Sequence, residues 1–520
     1  MSASLLIRNA RIWTGATPWP DAHSVLVERG RIVQVNPPEG ASAQHVLDLR
    51  GRFVSPGLID AHLHMLMGGR SLSQLDLRHV RSRAGFEAEI AGRHATLPDG
   101  LWLLAHGWAA ENWPVRDGAP TKEWLRAAND RPVVCYRMDL HAALVNDAVL
   151  QLCDLRSDPS GGRVERDART GEPTGLMIEA AAWKLVNPIV PEAPIEMKRS
   201  QLREAQRHLL SLGITAVGSM EYTRDVREVY VPMREELVLR CAITLLDRAW
   251  PMDFSYGRDF AREHAVQDRL AVIGYKAFAD GTLGSRTARL FEGYSDDPGN
   301  RGLLVELAHD GHLRDWAHAV AVAGLSPSIH AIGDEAARLA LDATEAIDRS
   351  RRPRIEHAQQ LDRADIARFA GRIASMQPLH KADDGRYAEA RLGPHRIAGS
   401  FAFRQLLNAD AVLAFGSDWP VVSCDPMLGM RSAITGLTLD GRPFRTDENL
   451  TVAETLRAYT TNAAFALNLD DAGLIKPGAL ADLVVFDCDP FEIDWSVRLP
   501  RVQKTIVNGE IVYDAEAGDP

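Results

Sequence analysis

Residues 55–64 read SPGLIDAHLH, and this segment predicts both the start of a β/α fold and part of its site. The Ser-Pro-Gly triplet indicates a turn, and the apolar run around it is typical of a buried strand. Alternate side chains of a strand point to the same face, so His62 and His64 are predicted to face one space. Two neutral imidazoles placed together can bind a divalent ion such as zinc. An isolated His-x-His is equally well explained as a hydrogen-bonded pair near a strand end.

Short apolar runs recur along the chain and alternate with amphipathic stretches. Helical patterns occur at 199–212, 312–323, 334–349 and 362–370. The eight candidate strands are Phe53–Ala61, Ile214–Ser219, Cys241–Leu246, Val272–Ala279, Ser326–Ala331, Arg354–His357, Ile373–Met376 and Val412–Ser417. Repeated β-then-α units of this number predict an α/β fold, a (β/α)8 TIM barrel over residues 53–465.

The rest of the chain predicts two additions to the barrel. Residues 1–52 and 466–520 carry short strands and hairpin turns, among them Asn508-Gly509. Because such hairpins are marginal alone, we predict that both ends pair in one composite β-sandwich; the alternative is two separate β appendages. The interval 65–195, after the first strand, is too long for one crossover. We predict that it forms an inserted lid or subdomain over the barrel mouth.

The composition argues against several classes of protein. With 59 Lys and Arg against 70 Asp and Glu, the net charge is −11, which disfavours binding to nucleic acid or an anionic membrane. Five scattered cysteines without a C-x-x-C pair argue against a disulfide scaffold or a cysteine zinc site. The chain shows no signal-peptide pattern and no membrane-spanning apolar run. We therefore expect a cytoplasmic protein that acts on a small molecule, with a homodimer as the candidate assembly.

Later candidate strands also end in residues of the metal-binding type. His330 and His357 stand at the ends of two apolar runs, and Asp418 directly follows a third. Because the C-terminal ends of barrel strands converge on the active site, these residues are predicted to meet His62 and His64 at one mouth. A lone His330 would more often be a hydrogen-bonded core histidine, but five such residues at strand ends are hard to explain by chance.

Lys276 lies within a strongly apolar candidate strand. A free ammonium buried there would be costly, so the lysine must either pair with a carboxylate or be chemically modified. Asp280 is close in the chain, but on a continuous strand residues i and i+4 are about 13 Å apart. The pair would therefore form only if the strand ended or bent between them. The modification would be carboxylation to a carbamate that bridges two metal ions.

Taken together, the motifs resemble the amidohydrolase superfamily, and within it the family 3 group that includes formamide deformylase-like enzymes. The resemblance covers essentially the whole chain. It rests on residues 55–64, Lys276–Ala288 (KAFADGTLGSRTA), His330–Asp334 (HAIGD), Glu356–Gln359 (EHAQ), Gly416–Pro420 (GSDWP) and Gly478–Val484 (GALADLV).

The resemblance implies a metal-dependent barrel with a flanking β-sandwich, holding one or two Zn²⁺ ions. The ligands that it implies are His62, His64, Lys276, His330, His357 and Asp418, with Lys276 carboxylated. Zinc would activate water and polarise a substrate carbonyl. Asp418 is the expected catalytic residue, which accepts a proton from the water and returns it to the leaving nitrogen.

Several further residues are predicted at the substrate, each with an alternative. His141 corresponds to the family's Gly-His segment, with Leu140 in the glycine position, and either reaches the substrate carbonyl or only closes the inserted lobe. Arg286 either holds a substrate carboxylate or forms a structural salt bridge. Trp108, Trp113 and Trp419 either wall the pocket or belong to the core.

The predicted function is hydrolysis of a non-peptide carbon–nitrogen bond in an amide, an N-substituted formamide or a cyclic amide. Two alternatives remain at the level of sequence. The same site could serve ester or lactone hydrolysis or a metal-assisted isomerisation, or the fold could be a binding protein without chemistry. The complete ligand set argues against the binding protein, and the substrate itself is not predicted.

Overall fold

In a computed structural model, which describes residues 4–110, 113–114, 118–264 and 269–517, eight parallel strands form the centre of the molecule. Each barrel strand pairs with the one that follows it in the chain. The strands are Leu58–Leu63, Ile214–Glu221, Arg240–Leu245, Leu270–Phe278, Ser326–Ala331, Arg354–His357, Ile373–Met376 and Val412–Phe415. The predicted TIM barrel is confirmed.

The first and last barrel strands meet at their C-terminal ends. The Asp418 amide donates to the His62 carbonyl at 2.6 Å, and the Ser417 amide donates to Oδ1 of Asp60 at 3.0 Å. Gly416 makes this approach possible, because a Cβ there would lie 2.5 Å from the His62 nitrogen. The barrel is therefore closed beside the residues that form its site.

The prediction of one strand over Phe53–Ala61 was wrong. The structure has two strands, Phe53–Pro56 and Leu58–Leu63, which belong to different sheets. Gly57 separates them and packs against the second barrel strand, where a Cβ would lie 2.3 Å from Oγ1 of Thr215. An apolar run shows that a segment is buried, but not that it changes sheets in the middle.

Strands from both ends of the chain form two further sheets. One contains Arg31–Val35, Val25–Glu28, Leu5–Arg8 and His45–Asp48; the other contains Arg11–Ile12, Phe53–Pro56, Leu483–Phe486, Val502–Val507 and Glu510–Asp514. In the second sheet Phe53–Pro56 pairs with Leu483–Phe486, so segments far apart in the sequence are adjacent. Ile7, Val27 and Val485 contribute to one buried apolar cluster shared by the two sheets.

The interval after the first barrel strand contains a six-stranded sheet. Its strands are Leu75–Asp76, Leu103–Trp108, Val133–Arg137, Ala142–Val145, Gly162–Arg166 and Pro173–Glu179. The helix Arg83–Thr96 packs Phe86 against Trp113 and Trp124, and these side chains share one apolar cluster with Leu103 and Val133 of the sheet. This inserted sheet brings Arg137 and His141 to the cavity that also contains His330.

Helices surround the barrel and the inserted sheet. The α-helices are Met65–Ser71, Arg83–Thr96, Asp147–Leu150, Ile195–Ser211, Thr223–Asp225, Ser255–Glu263, Glu306–His309, Leu313–Val322, Asp334–Thr344, Arg363–Ile366, Pro378–Asp384, Ala388–Leu392, Phe403–Asn408, Pro426–Thr435, Val452–Ala458 and Thr461–Ala466. Among the described residues, none of the helices has the length and apolar character needed to cross a membrane. Most of the helices around the barrel share one large apolar core with its strands, whereas the helix Arg83–Thr96 packs in a separate cluster with the inserted sheet.

The short helix Met65–Ser71 begins directly after His64. Its first backbone amides are bound from the second barrel strand, since Met65 donates to Oγ of Ser219 at 2.9 Å and Leu66 donates to Oε1 of Glu221 at 3.1 Å. These bonds satisfy amides that have no partner within the helix. They also hold the backbone on which His64 stands.

We expect Gly68→Ala to destabilise the fold, because a Cβ at Gly68 would lie 2.1 Å from the Trp419 ring. Such overpacking typically costs about 1–3 kcal/mol. Gly92→Ala is the matched control, since nothing lies within 4 Å of that position on an exposed helix face. There the loss of glycine should stabilise the helix by about 0.5–1 kcal/mol. Thermal unfolding midpoints that shift in opposite directions would support this packing, and equal midpoints would contradict it.

Candidate active site

The structure brings the predicted ligands together at the C-terminal ends of the barrel strands. His62 and His64 each place Nε2 3.4 Å from Oδ1 of Asp418, and Lys276 Nζ lies 3.3 Å from Nε2 of His62. The ring centroid of His357 lies 5.1 Å from that of His62. His330 completes the group, with its ring centroid 4.4 Å from that of His357.

The donor atoms have the spacing that a metal ion requires. Two ligands at about 2.1 Å from a tetrahedral zinc are separated by about 3.4 Å. The two His–Asp418 distances have this value, and His62, His64 and Asp418 offer atoms that all lie within 4.8 Å of one another. Nδ1 of His64 is buried and has no hydrogen-bond partner in the described part of the chain. This donor set fits a divalent cation.

His62 is oriented by a buried carboxylate. Its Nδ1 lies 2.6 Å from Oε2 of Glu356, so Nδ1 carries the proton and Nε2 keeps a lone pair for a ligand. Glu356 is itself paired with Arg354, whose Nε lies 3.0 Å from Oε1. Burial and the charge of Lys276 lower the pKa of His62 to about 4, which keeps the ring neutral.

His357 and His330 are oriented by neutral oxygens instead. Nδ1 of His357 donates to Oε1 of Gln377 at 2.7 Å, and Nε2 of His330 donates to the Gly281 carbonyl at 3.1 Å. Each ring therefore has one nitrogen left as an acceptor. Burial holds the pKa of both histidines well below the usual value, so both rings are neutral ligands.

Two of the predicted ligands have left-handed backbone conformations. The φ angles are 71° at His357 and 60° at Asp418, which is unusual for residues with a Cβ. Such conformations cost about 1–3 kcal/mol each and persist where the surrounding structure enforces them. At Asp418 the enforcement comes from the hydrogen bond between its amide and the His62 carbonyl.

Lys276 does not form the ion pair with Asp280. The strand ends at Phe278, and both oxygens of Asp280 accept backbone amides, from Ile332 at 3.0 Å and from Gly333 at 2.8 Å. Lys276 is fully buried, and its Nζ lies 5.1 Å from the ring centroid of Phe278. Burial lowers the pKa of Lys276 to about 8, which increases the fraction of neutral amine at neutral pH.

A small cavity opens above these residues, and the inserted sheet forms one of its walls. His141 lines it, with Nδ1 2.7 Å from Oε2 of Glu179. Burial opposes a charged ring, but the Glu179 carboxylate outweighs burial and raises the pKa of His141. Leu140, in the position of the family's glycine, has a φ of 62°, the conformation that glycine adopts most easily. A larger outer cavity shares Met138 and Asp383 with the inner one.

The other predicted substrate residues lie away from the inner cavity. Arg286 pairs with Asp296 at 2.9 Å, which is the structural salt bridge weighed as its alternative. Trp108 donates to the Cys135 carbonyl inside the inserted sheet, and Trp419 is buried in the barrel core. Trp113 lines only the outer cavity. The inserted sheet supplies three polar residues to the inner cavity: Arg137, Asp139 and His141.

Sequence reasoning missed several residues of the site. Glu356, Gln377 and Glu179 orient histidines, and no spacing rule singles them out because their partners lie on other elements. His380 also lines the cavity, 3.9 Å from Asp418. It follows the seventh barrel strand, Ile373–Met376, so its place just after a strand end is the sequence feature that points to it.

A parallel (β/α)8 barrel with histidines and a carboxylate at its C-terminal mouth defines the class of metal-dependent hydrolases. The sequence profile of the amidohydrolase family matches residues 45–513, and the chain belongs to that family. The expected resemblance is thereby confirmed, as is the prediction of an enzyme from the group that acts on carbon–nitrogen bonds other than peptide bonds.

Individual relatives span nearly the whole chain. The protein LONG AFTER FAR-RED 3 of Arabidopsis thaliana is 33% identical, over 98% of this chain and 92% of its own length. The N-substituted formamide deformylase of Arthrobacter pascens is 27% identical, over 98% of both chains. The solved structure of an uncharacterized metal-dependent hydrolase from Pyrococcus horikoshii is 27% identical, with a TM-score of 0.74, and the match covers 95% of this chain and 99% of that one.

We expect Glu356→Gln to weaken metal binding by about 10–100-fold, the usual effect of removing a partner that orients a ligand. The variant replaces the carboxylate that accepts the Nδ1 proton of His62 with an amide. Chelator competition would measure the affinity, with the exposed Glu345→Gln as the control. An unchanged dissociation constant would show that Glu356 does not set the orientation of His62.

Proposed function

We propose that this enzyme hydrolyses a non-peptide carbon–nitrogen bond in a small amide, an N-substituted formamide or a cyclic amide. The observation that carries the proposal is the cluster of His62, His64 and Asp418, with its 3.4 Å donor spacing, beside buried Lys276 at the mouth of an amidohydrolase barrel. The relative named N-substituted formamide deformylase supports the choice of amides and formamides.

The residues proposed to hold the metal, zinc as one or two ions, are His62, His64, Lys276, His330, His357 and Asp418. A divalent ion bound there would supply an activated water and a polarised carbonyl. The protein contributes neutral imidazoles with one nitrogen already occupied by Glu356, Gln377 or the Gly281 carbonyl. These imidazole rings then need little reorientation when the ion binds.

Asp418 is the proposed proton carrier. Burial alone would favour its neutral form, but the neighbouring His62 and His64 outweigh burial and hold the pKa of Asp418 well below its usual range. The group is therefore a carboxylate that can accept a proton from the attacking water and return it to the departing nitrogen. Its position on the wall of the inner cavity gives it access to a bound substrate.

His141 is proposed to contact the substrate carbonyl. Its Nδ1 is held by Glu179, so Nε2 remains as the polar atom for a ligand. His141 stands in the turn between two strands of the inserted sheet and His330 on a barrel strand, with their ring centroids 5.4 Å apart, so two separate parts of the fold would contact the substrate side by side.

Lys276 is proposed to be carboxylated. The neutral amine would form an N–C bond with CO₂ and release one proton, which leaves a carbamate anion. Burial favours the neutral amine, and Asp280, which would otherwise hold an ammonium, is bound to backbone amides. The carbamate would give the site an oxygen ligand where the unmodified chain has only a buried lysine.

Metal analysis of protein purified without added metal, followed by assays with formamides, cyclic imides, N-acyl amino acids and lactones, tests the proposal. Bound divalent metal together with turnover of amides or formamides would support it. Turnover of lactones alone would replace it with ester chemistry on the same site. Metal-free protein that remains inactive after zinc is added would overturn it.

We expect Asp418→Asn to reduce kcat by about 10²–10⁴-fold, the usual contribution of general acid–base catalysis. The amide can still coordinate weakly but cannot accept a proton, so metal content should fall less than kcat. Steady-state kinetics and metal analysis of the same samples would separate the two effects. Asp310→Asn, on the exposed end of a helix, is the control. Near-normal kcat with metal retained would remove Asp418 from proton transfer.

We expect Lys276→Ala to lose bound metal and most activity, and acetate to restore part of both by replacing the carbamate. The exposed Lys476→Ala should behave like the unmodified protein. The ¹³C NMR spectrum of protein equilibrated with ¹³CO₂ provides a direct readout, since a carbamate carbon should appear in the original chain and disappear in Lys276→Ala. Full metal content in Lys276→Ala would contradict the assignment.

A further inference from the structure

His380 stands on the first turn of the helix Pro378–Asp384, directly after the seventh barrel strand. It lines the inner cavity, together with His357 and Asp418. Neither the sequence motifs nor the proposed ligand set gives it a role. The seventh strand would otherwise contribute nothing to the site beyond the Gln377 that orients His357.

The ring of His380 has an unsatisfied nitrogen. Its side chain is only 10% exposed, and Nε2 is buried with no hydrogen-bond partner in the described ranges. A buried polar atom without a partner typically costs about 1–3 kcal/mol. The cost disappears if the nitrogen meets a ligand that enters from the cavity.

The distances around His380 suit a shared cation better than a direct hydrogen bond. Nε2 lies 3.9 Å from Oδ2 of Asp418, which is too long for a hydrogen bond. Ligand atoms of His357, His380 and Asp418 all lie within 4.8 Å of one another. The rings of His357 and His380 are nearly parallel, with an interplanar angle of 5° and centroids 6.0 Å apart.

The two oxygens of Asp418 face different histidines. Oδ1 lies 3.4 Å from Nε2 of both His62 and His64, whereas Oδ2 is the oxygen nearer to His380. A carboxylate in this position can contribute one oxygen to each of two adjacent ions, which in two-metal sites lie about 3.5–4 Å apart.

Local helix geometry explains why His380 reaches this position. Residues i and i+3 of a helix lie on the same face, and Gln377 and His380 have this spacing at the helix start. Gln377 binds Nδ1 of His357 at 2.7 Å, so the nitrogen left to His357 for a ligand is Nε2. The same turn therefore orients one histidine and supplies another.

We propose that His380 is a ligand of a second divalent ion, which it binds together with His357 and Oδ2 of Asp418. The proposal rests on the proposed function, since the first ion is the one assigned to His62, His64 and Oδ1 of Asp418. His380 thereby makes the centre binuclear. It adds a ligand that the resemblance does not include.

Titration of metal-free protein with Zn²⁺ against a chromophoric chelator tests this assignment. The unmodified chain should bind two equivalents. In His380→Ala the dissociation constant of one zinc equivalent should rise at least about 10-fold, while that of the other stays unchanged. Removing a residue that merely orients a metal ligand already weakens metal binding by about 10-fold or more, so removing a ligand should cost at least as much. His380→Gln preserves more of the side-chain volume and should show the same selective loss if His380→Ala folds poorly. His45→Ala, exposed on a terminal strand, is the matched control.

Visible absorption of the Co²⁺-loaded protein gives a second readout, because loss of a histidine ligand changes the spectrum of one equivalent only. Two equivalents with unchanged affinity and spectrum in both His380 variants would overturn the inference, as would a single equivalent in the unmodified chain. In either case metal at His62 and His64 with amide turnover would leave the proposed function intact. Failure to bind any metal would contradict both the role of His380 and the proposed function.

Discussion

The site depends on the closure of the barrel between its first and last strands. Asp60 accepts the Ser417 amide, and the Asp418 amide donates to the His62 carbonyl, so residues more than 350 positions apart are held by short backbone contacts. This closure places the carboxylate of Asp418 beside the two histidines of the first strand. It also holds Asp418 in a left-handed conformation that the residue would rarely adopt in an unconstrained loop.

Three histidines of the centre are each prepared for a cation by a hydrogen bond to one of their nitrogens. Glu356 serves His62, Gln377 serves His357, and the Gly281 carbonyl serves His330. These hydrogen-bond partners differ in charge, but each leaves a neutral imidazole whose other nitrogen carries a free lone pair. Burial reinforces this state because it disfavours the imidazolium. The protein therefore holds several lone-pair donors close together. A cation bound among them would reduce the electrostatic repulsion between these atoms.

The inserted sheet forms one wall of the cavity above the centre, and the barrel with its loops forms the rest. The inserted sheet contributes Arg137, Asp139 and His141, whereas the barrel contributes the proposed metal ligands. The guanidinium of Arg137 is paired with Asp139, so the charge is balanced within the wall itself. In the proposed function, the substrate contact His141 and the metal ligands therefore come from different parts of the chain.

The sequence alone determined the barrel, because alternating apolar runs and amphipathic stretches follow from local burial and repeat eight times. It also indicated His62, His64, His330, His357 and Asp418, since each stands at or just after a strand end. Only the tertiary structure decided that Phe53–Ala61 divides at Gly57, that Asp280 binds backbone amides instead of Lys276, and that Arg286 pairs with Asp296. The same holds for Glu356, whose partner His62 lies on another strand, and for His380, whose place beside His357 and Asp418 depends on the fold. Periodicity reports which side of an element is buried, whereas hydrogen-bond partners and ligand distances depend on contacts between elements that no local pattern contains.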